Sequence, residues 1–149
     1  MSLVHRLLLL IAVGSALATG GCASIDKLTL TTAARLNTCD GSEPHPVVVR
    51  IYYLKNSARF KAADFPSLWD QDRNTLGDDR LDLIEETLNP REELPLVIKR
   101  SDEAKEATAI GIVANFCDPG EGCWRQVVPI TGKKSDIRIH FDEGCLSID

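Results

Sequence analysis

The stretch Val47-Val48-Val49-Arg50-Ile51-Tyr52-Tyr53-Leu54-Lys55 decides how the rest of the chain is read. Side chains of a strand alternate between two faces. Val47, Val49, Ile51 and Tyr53 therefore share one face, and Val48, Arg50, Tyr52 and Leu54 share the other. Both faces are partly apolar, which predicts a central strand covered on both sides. Weaker alternations flank it. Residues 28–36 interleave leucine with threonine and read as a strand. Residues 80–88 mix acids and aliphatics, and residues 92–99 set Leu94, Leu96 and Ile98 against Pro95, the pattern of an edge strand. Residues 107–116 bring Ile110, Ile112, Ala114 and Phe116 to one side, and residues 124–130 pair with them across Asp118-Pro119-Gly120. Ile137, Ile139 and Phe141 alternate with Arg138, His140 and Asp142. One short helix is expected at Phe65, Leu68 and Trp69, with Asp64 as its cap, Pro66 in its first turn and Phe60 packed beside it. Seven or eight short strands separated by turns make the fold class mainly β. The expected architecture is a two-sheet antiparallel sandwich with one short added helix, occupying residues 28–149.

The beginning of the chain has a different character. Arg6 is its one charge, Leu7 to Ala18 is apolar, and Thr19, Gly20 and Gly21 are small. Twelve apolar residues are fewer than the roughly 20 needed to cross a bilayer, so residues 1–21 read as an export signal. Cys22 follows directly, and this arrangement resembles the bacterial lipobox. The resemblance implies cleavage before Cys22 and a lipid on its sulfur, with residues 22–27 as a lipidated tether. Ala23, in place of an aspartate, implies sorting to the outer membrane. The remaining 128 residues carry 16 Lys and Arg against 22 Asp and Glu. An acid excess of six leaves no basic surface for phosphate, which excludes nucleic acid as a partner.

With Cys22 assigned to lipid, four of the five cysteines remain: Cys39, Cys117, Cys123 and Cys145. An even set in an exported domain reads as two disulfides, for which three connectivities exist. Cys117 and Cys123 flank a turn, which favours a bridge between them and leaves Cys39 to Cys145; the other pairings stay open.

Signals for catalysis are missing. Asp70-Gln71-Asp72-Arg73-Asn74 begins like a calcium loop, but Thr75 stands where Gly is required and Leu81 where Glu is required. The Asp78-Asp79 and Glu85-Glu86 pairs read as surface acids. There is no Gly-x-Ser-x-Gly elbow and no phosphate-cradling glycine loop. His45 and His140 are isolated. No catalytic residue, metal site or cofactor is expected, and a binding or structural protein is.

The order of residues in the mature part resembles one family. After the lipidated cysteine come Leu36-Asn37, the Val47–Lys55 stretch, Phe60, Ala63-Asp64-Phe65, Leu68 and Leu76-Gly77. Asn89-Pro90-Arg91-Glu92, Ile110-Gly111-Ile112-Val113-Ala114 and Trp124-Arg125 complete the set. Over residues 36–148 this is similar to the outer-membrane lipoproteins of the type VI secretion system, the TssJ or SciN family. The resemblance implies a transthyretin-like sandwich on the inner leaflet of the outer membrane, facing the periplasm. It also implies a partner, the periplasmic domain of the inner-membrane TssM or IcmF-like protein. The implied contact is the loop of Thr38, Cys39, Asp40, Gly41, Ser42, Glu43, Pro44 and His45. Arg91 stands where the family's turn has Gly, which argues against a left-handed turn there. The four extra cysteines are not a general feature of the family, and one of them lies in the contact loop. An unrelated exported sandwich that binds a ligand or carbohydrate would fit the same composition; an exposed Trp69 or Trp124 would favour it.

Overall fold

The computed structural model describes residues 25–40, 43–131 and 136–149. The Val47–Leu54 stretch forms a strand, called β2, since another strand, β1 (Ile25–Thr32), precedes it. The others are β3 (Arg80–Leu88), β4 (Glu93–Lys99), β5 (Ala109–Ala114), β6 (Arg125–Pro129), β7 (Asp136–Phe141) and β8 (Leu146–Ile148). They form two four-stranded sheets, ordered β4-β1-β7-β8 and β3-β2-β5-β6. As expected, β2 is central and β4 lies at an edge. Pairing is antiparallel throughout except between β1 and β7, which run parallel.

The two faces of β2 divide the core. Val47, Val49, Ile51 and Tyr53 point at the other sheet and meet Leu28, Leu30, Ile137, Ile139 and Phe141. Ile110, Ile112, Ala114 and Phe116 join them, as their alternation predicts. Tyr52 and Leu54 point the opposite way, together with Ala109 and Val113 of β5. That outer face needs its own cover. Three short helices supply it: α1 (Ala58–Ala62), α2 (Phe65–Asp70) and α3 (Asp72–Leu76). Each contributes one fully buried side chain, Phe60, Leu68 and Leu76 respectively.

The expected helix is α2. The Asp64 carboxylate accepts the Ser67 N–H at 2.9 Å, and Pro66 occupies the first turn. Arg50, the one charge on β2, reaches out to this layer. It donates to the Trp69 carbonyl at 2.6 Å and stacks over the Trp69 ring at 4.0 Å. The Tyr52 hydroxyl donates to the Leu68 carbonyl at 3.2 Å. The additional helices α1 and α3 are five residues each, too short for a helical period to emerge from the sequence.

Two boundaries differ from expectation. β1 starts at Ile25, inside the stretch expected to be tether, and stops at Thr32 rather than at residue 36. Its first residues are held because β4 is long enough to pair with them, Ile25 opposite Lys99 and Asp26 opposite Ile98. Its end is set by the turn between β3 and β4. The Thr32 hydroxyl donates to the Asn89 carbonyl at 2.6 Å and accepts the Glu92 N–H at 2.8 Å. Within that turn Arg91 has φ of +59°. The left-handed conformation persists without glycine, fastened by Thr32 and by the Glu92 carboxylate accepting the Asn89 N–H at 2.6 Å.

At the other end of β1, the Asp26 carboxylate is held by Arg100 at 2.6 and 2.7 Å and by the Tyr53 hydroxyl at 3.0 Å. Burial alone would raise the Asp26 pKa, but these bonds outweigh it and hold the group below its ordinary 3.8. Burial, reinforced by Asp26, pushes the Tyr53 hydroxyl well above its usual range.

Two outcomes are expected. Gly111 lies beneath Phe60, and a Cβ there would stand 2.7 Å from the ring and 2.9 Å from a Leu54 methyl. Gly111→Ala should cost about 1–3 kcal/mol in urea unfolding through overpacking. For Asp26 the folded pKa lies below the unfolded one, so its stabilisation is complete above the unfolded value. It fades as pH falls through the folded value. Acid unfolding of Asp26→Asn should therefore show a shallower loss of stability below about pH 4 than the parent protein.

Candidate partner-binding pole

β1 ends at a pole of the sandwich where three connections meet: residues 33–46, 115–124 and 142–145. Asn37 ties them together. It is 4% exposed and takes a left-handed φ of +49°, a conformation that asparagine tolerates better than most residues. Its side-chain amide donates to the Pro46 carbonyl at 2.9 Å, closing the first loop. Its side-chain oxygen accepts the Cys117 N–H at 2.8 Å, bringing in the second. Its own N–H donates toward the Asp142 carbonyl of the third at 3.4 Å. Leu36, fully buried, anchors the same corner.

The cysteines follow this arrangement. Cys39 is bonded to Cys117 and Cys123 to Cys145. The favoured Cys117–Cys123 pairing is therefore incorrect. The facing ends of the hairpin are Ala114 and Trp124, joined by a backbone bond of 2.9 Å. Cys117 and Cys123 both lie beyond that register, on loop segments drawn in different directions. Asn37 turns Cys117 toward Cys39. Backbone bonds from Gly120 N–H to Gly144 O at 3.1 Å and from Leu146 N–H to Cys123 O at 2.9 Å bring Cys123 to Cys145. That approach requires a glycine at 144, where a Cβ would stand 2.3 Å from the Asp118 carbonyl oxygen.

The loop expected to form the contact is presented outward. Cys39, Asp40, Glu43, Pro44 and His45 are exposed, and Thr38 is half-buried. Gly41 and Ser42 lie outside the described residues, as does Cys22. Sequence reading did not place Asp118 and Glu143 beside this loop, or Asp142 beside Asn37 at its start; the fold does. An open hollow of about 260 Å³ lies between the loops, lined by Thr38, Asp118, Gly120, Glu143, Gly144 and Cys145. The three connections are acidic: they carry Asp40, Glu43, Asp118, Glu121, Asp142 and Glu143 against Arg35, which pairs with Glu143, and Arg91 of the adjoining β3–β4 turn, whose N–H donates to the Ala33 carbonyl at 3.3 Å. Such a surface suits a basic partner.

The aromatic side chains are used elsewhere. Phe65 stacks on Trp69 at 5.5 Å and meets the edge of Trp124 at 5.3 Å. Both tryptophans are half-buried, and Arg125 covers Trp124 at 4.6 Å. They close the helical layer and offer no exposed platform for a sugar. Among the described residues, no three His, Cys, Asp or Glu side chains converge as metal ligands would.

Comparison with known proteins places the fold among known families. Residues 25–144 match the family model for type VI secretion lipoproteins, the group of VasD, EvfM and TssJ. No curated protein matches. The crystal structure of the lipoprotein TssJ1 from Pseudomonas aeruginosa is similar at 26% identity and a TM-score of 0.78, over 85% of this chain and 95% of that one. The fold is shared with Serratia marcescens Lip, a membrane-bound component of the same system, at 24% identity and a TM-score of 0.74, over 85% and 96%. It is also shared with a chain in a structure of the TssM C-terminal domain from EAEC, at 23% identity and a TM-score of 0.73, over 84% and 97%. A match over residues 25–144 spans both sheets and the pole, so the chain belongs to the type VI secretion lipoprotein family.

Proposed function

We propose that this lipoprotein is a structural link in the type VI secretion membrane complex. Cys22 carries lipid in the inner leaflet of the outer membrane, and the three-loop pole binds the periplasmic domain of a TssM or IcmF-like inner-membrane protein. The family is one of secretion lipoproteins and not of enzymes. The observation that carries the reading is the course of β1. Its first residue, Ile25, follows Cys22 by three positions, and its last, Thr32, leads directly into the pole. Eight residues of strand span about 26 Å, so the end of β1 nearest in sequence to Cys22 and the end that leads into the pole are that far apart. The occurrence of this fold in a structure of the TssM C-terminal domain supports the choice of partner. Two or more acyl chains hold a protein stably at a membrane where one does not, which fits the lipid that the cysteine implies.

The pole is braced before it binds. The two disulfides close segments of 78 and 22 residues, each worth on the order of 3–5 kcal/mol in loop entropy. A loop ordered in advance loses less entropy on docking.

Labelling with a palmitate analogue should mark the protein and leave Cys22→Ser unmarked; label on the serine variant would refute the anchor. The soluble domain should retain the partner's periplasmic domain. Reversing Glu43 and Glu121 to Lys should weaken that binding by about tenfold and flatten its salt dependence. Replacing Cys39 and Cys117 together by Ser should lower both stability and affinity. Unchanged affinity in the double variant would separate the bridge from docking.

A further inference from the structure

The ion pair at the start of β1 lies at the opposite end of that strand from the pole, and the binding account above gives it no part. Among the ion pairs of the described residues, Asp26–Arg100 is the most buried, with side chains 14% and 11% exposed. Its geometry is bidentate, with Arg100 Nε and an Nη donating to the two carboxylate oxygens at 2.6 and 2.7 Å. The Tyr53 hydroxyl adds a third bond at 3.0 Å. The three residues come from three places. Asp26 is on β1, Arg100 directly follows its antiparallel neighbour β4, and Tyr53 is on β2 in the opposing sheet. The cluster therefore fastens the start of β1 both sideways within its sheet and across the sandwich.

We propose that Asp26, Arg100 and Tyr53 form a tension latch, holding β1 in place where a pull from the lipid reaches the fold. The proposal takes the direction of the load from the anchor and partner assigned above. Only Ala23 and Ser24 separate Cys22 from Ile25, three steps that span at most about 11 Å of extended chain. A pull on the lipid thus arrives at Asp26 with almost no slack.

Two properties suit the cluster to this task. β1 lies between β4 and β7; the ladder bonds to antiparallel β4 run perpendicular to the strand and those to parallel β7 are slanted, so both sets cross the strand direction. Force along β1 loads all of them together, provided its first residues stay seated. If those residues lift, the same bonds break one after another from the end. A bidentate charged pair also has one position, whereas apolar contacts can be exchanged as a strand slides. Buried ion pairs are seldom more stabilising than apolar packing of the same volume. The latch accounts for placing a partly buried one here, as resistance in a defined direction.

The test is an optical-trap measurement on the protein with bioorthogonal handles at Ala23 and Glu121, which leave the cysteines untouched. Load then enters through β1 and leaves through the pole. Asp26→Asn should shorten the folded lifetime at a given force several-fold, up to about tenfold, since the pair is partly buried and breaking even a fully buried pair is costly. Tyr53→Phe, which deletes one hydroxyl and leaves the apolar ring, should shorten it less but measurably. With handles at Asp149 and Glu121, so that load bypasses the start of β1, the same variants should change the lifetime far less. An unchanged lifetime through Ala23, or equal shortening in both geometries, overturns the latch. Should Asp26→Asn fail to fold, Tyr53→Phe decides alone by the same comparison. Neither lipid nor partner is present in the trap, so failure of the anchor or of partner binding leaves this outcome readable, and the reverse holds.

Discussion

β2 has no face to leave in water, and the architecture follows from that constraint. Val47, Val49, Ile51 and Tyr53 require a second sheet on one side; Tyr52 and Leu54 require cover on the other. The opposing sheet meets the first demand and the three short helices meet the second. With both faces closed, the loops gather at the two ends of the sandwich. The polar groups on β2 reinforce the layers. Arg50 reaches the helical cover through Trp69, and Tyr53 reaches the opposing sheet through Asp26.

The three-loop pole is built differently from the core. Its order comes from Asn37, two disulfides and backbone bonds between loops, with Leu36 and Phe116 as buried footings. This suits a surface that has to stay polar for a partner and yet hold its shape. Asparagine at 37 serves because one side chain both donates and accepts and because its backbone tolerates the left-handed conformation. Binding residues are often carried on loops that a rigid scaffold positions, and here the covalent bridges extend that scaffold into the loops.

Much of the sandwich was legible in the residues, because burial on one face leaves a period of two. β2, β3 and β5 fall where the alternation puts them, and the α2 cap forms as Asp64 and Pro66 predict. The missing parts had no period to show. β8 is three residues long, and α1 and α3 are single turns. Disulfide pairing depends on which loops meet, and that is set by Asn37 and Gly144 through contacts distant in sequence. The acidic character of the pole was hidden for the same reason, since Asp118 and Glu143 come beside Thr38 only once both sheets are in place. Arg91 shows the limit of residue-type rules. A turn fastened from outside by Thr32 accepts a left-handed residue that its own sequence disfavours.

The most direct test of the central claim is site-specific photocrosslinking in intact envelopes of the source organism. A photoreactive residue would be placed in turn at Glu43, at Glu121 and at Glu103, the last near the lipid end of the sandwich. The account expects crosslinks to a large inner-membrane TssM-like protein from Glu43 and Glu121 and none from Glu103. Crosslinks to that protein from Glu103 alone, or from none of the three, would contradict it.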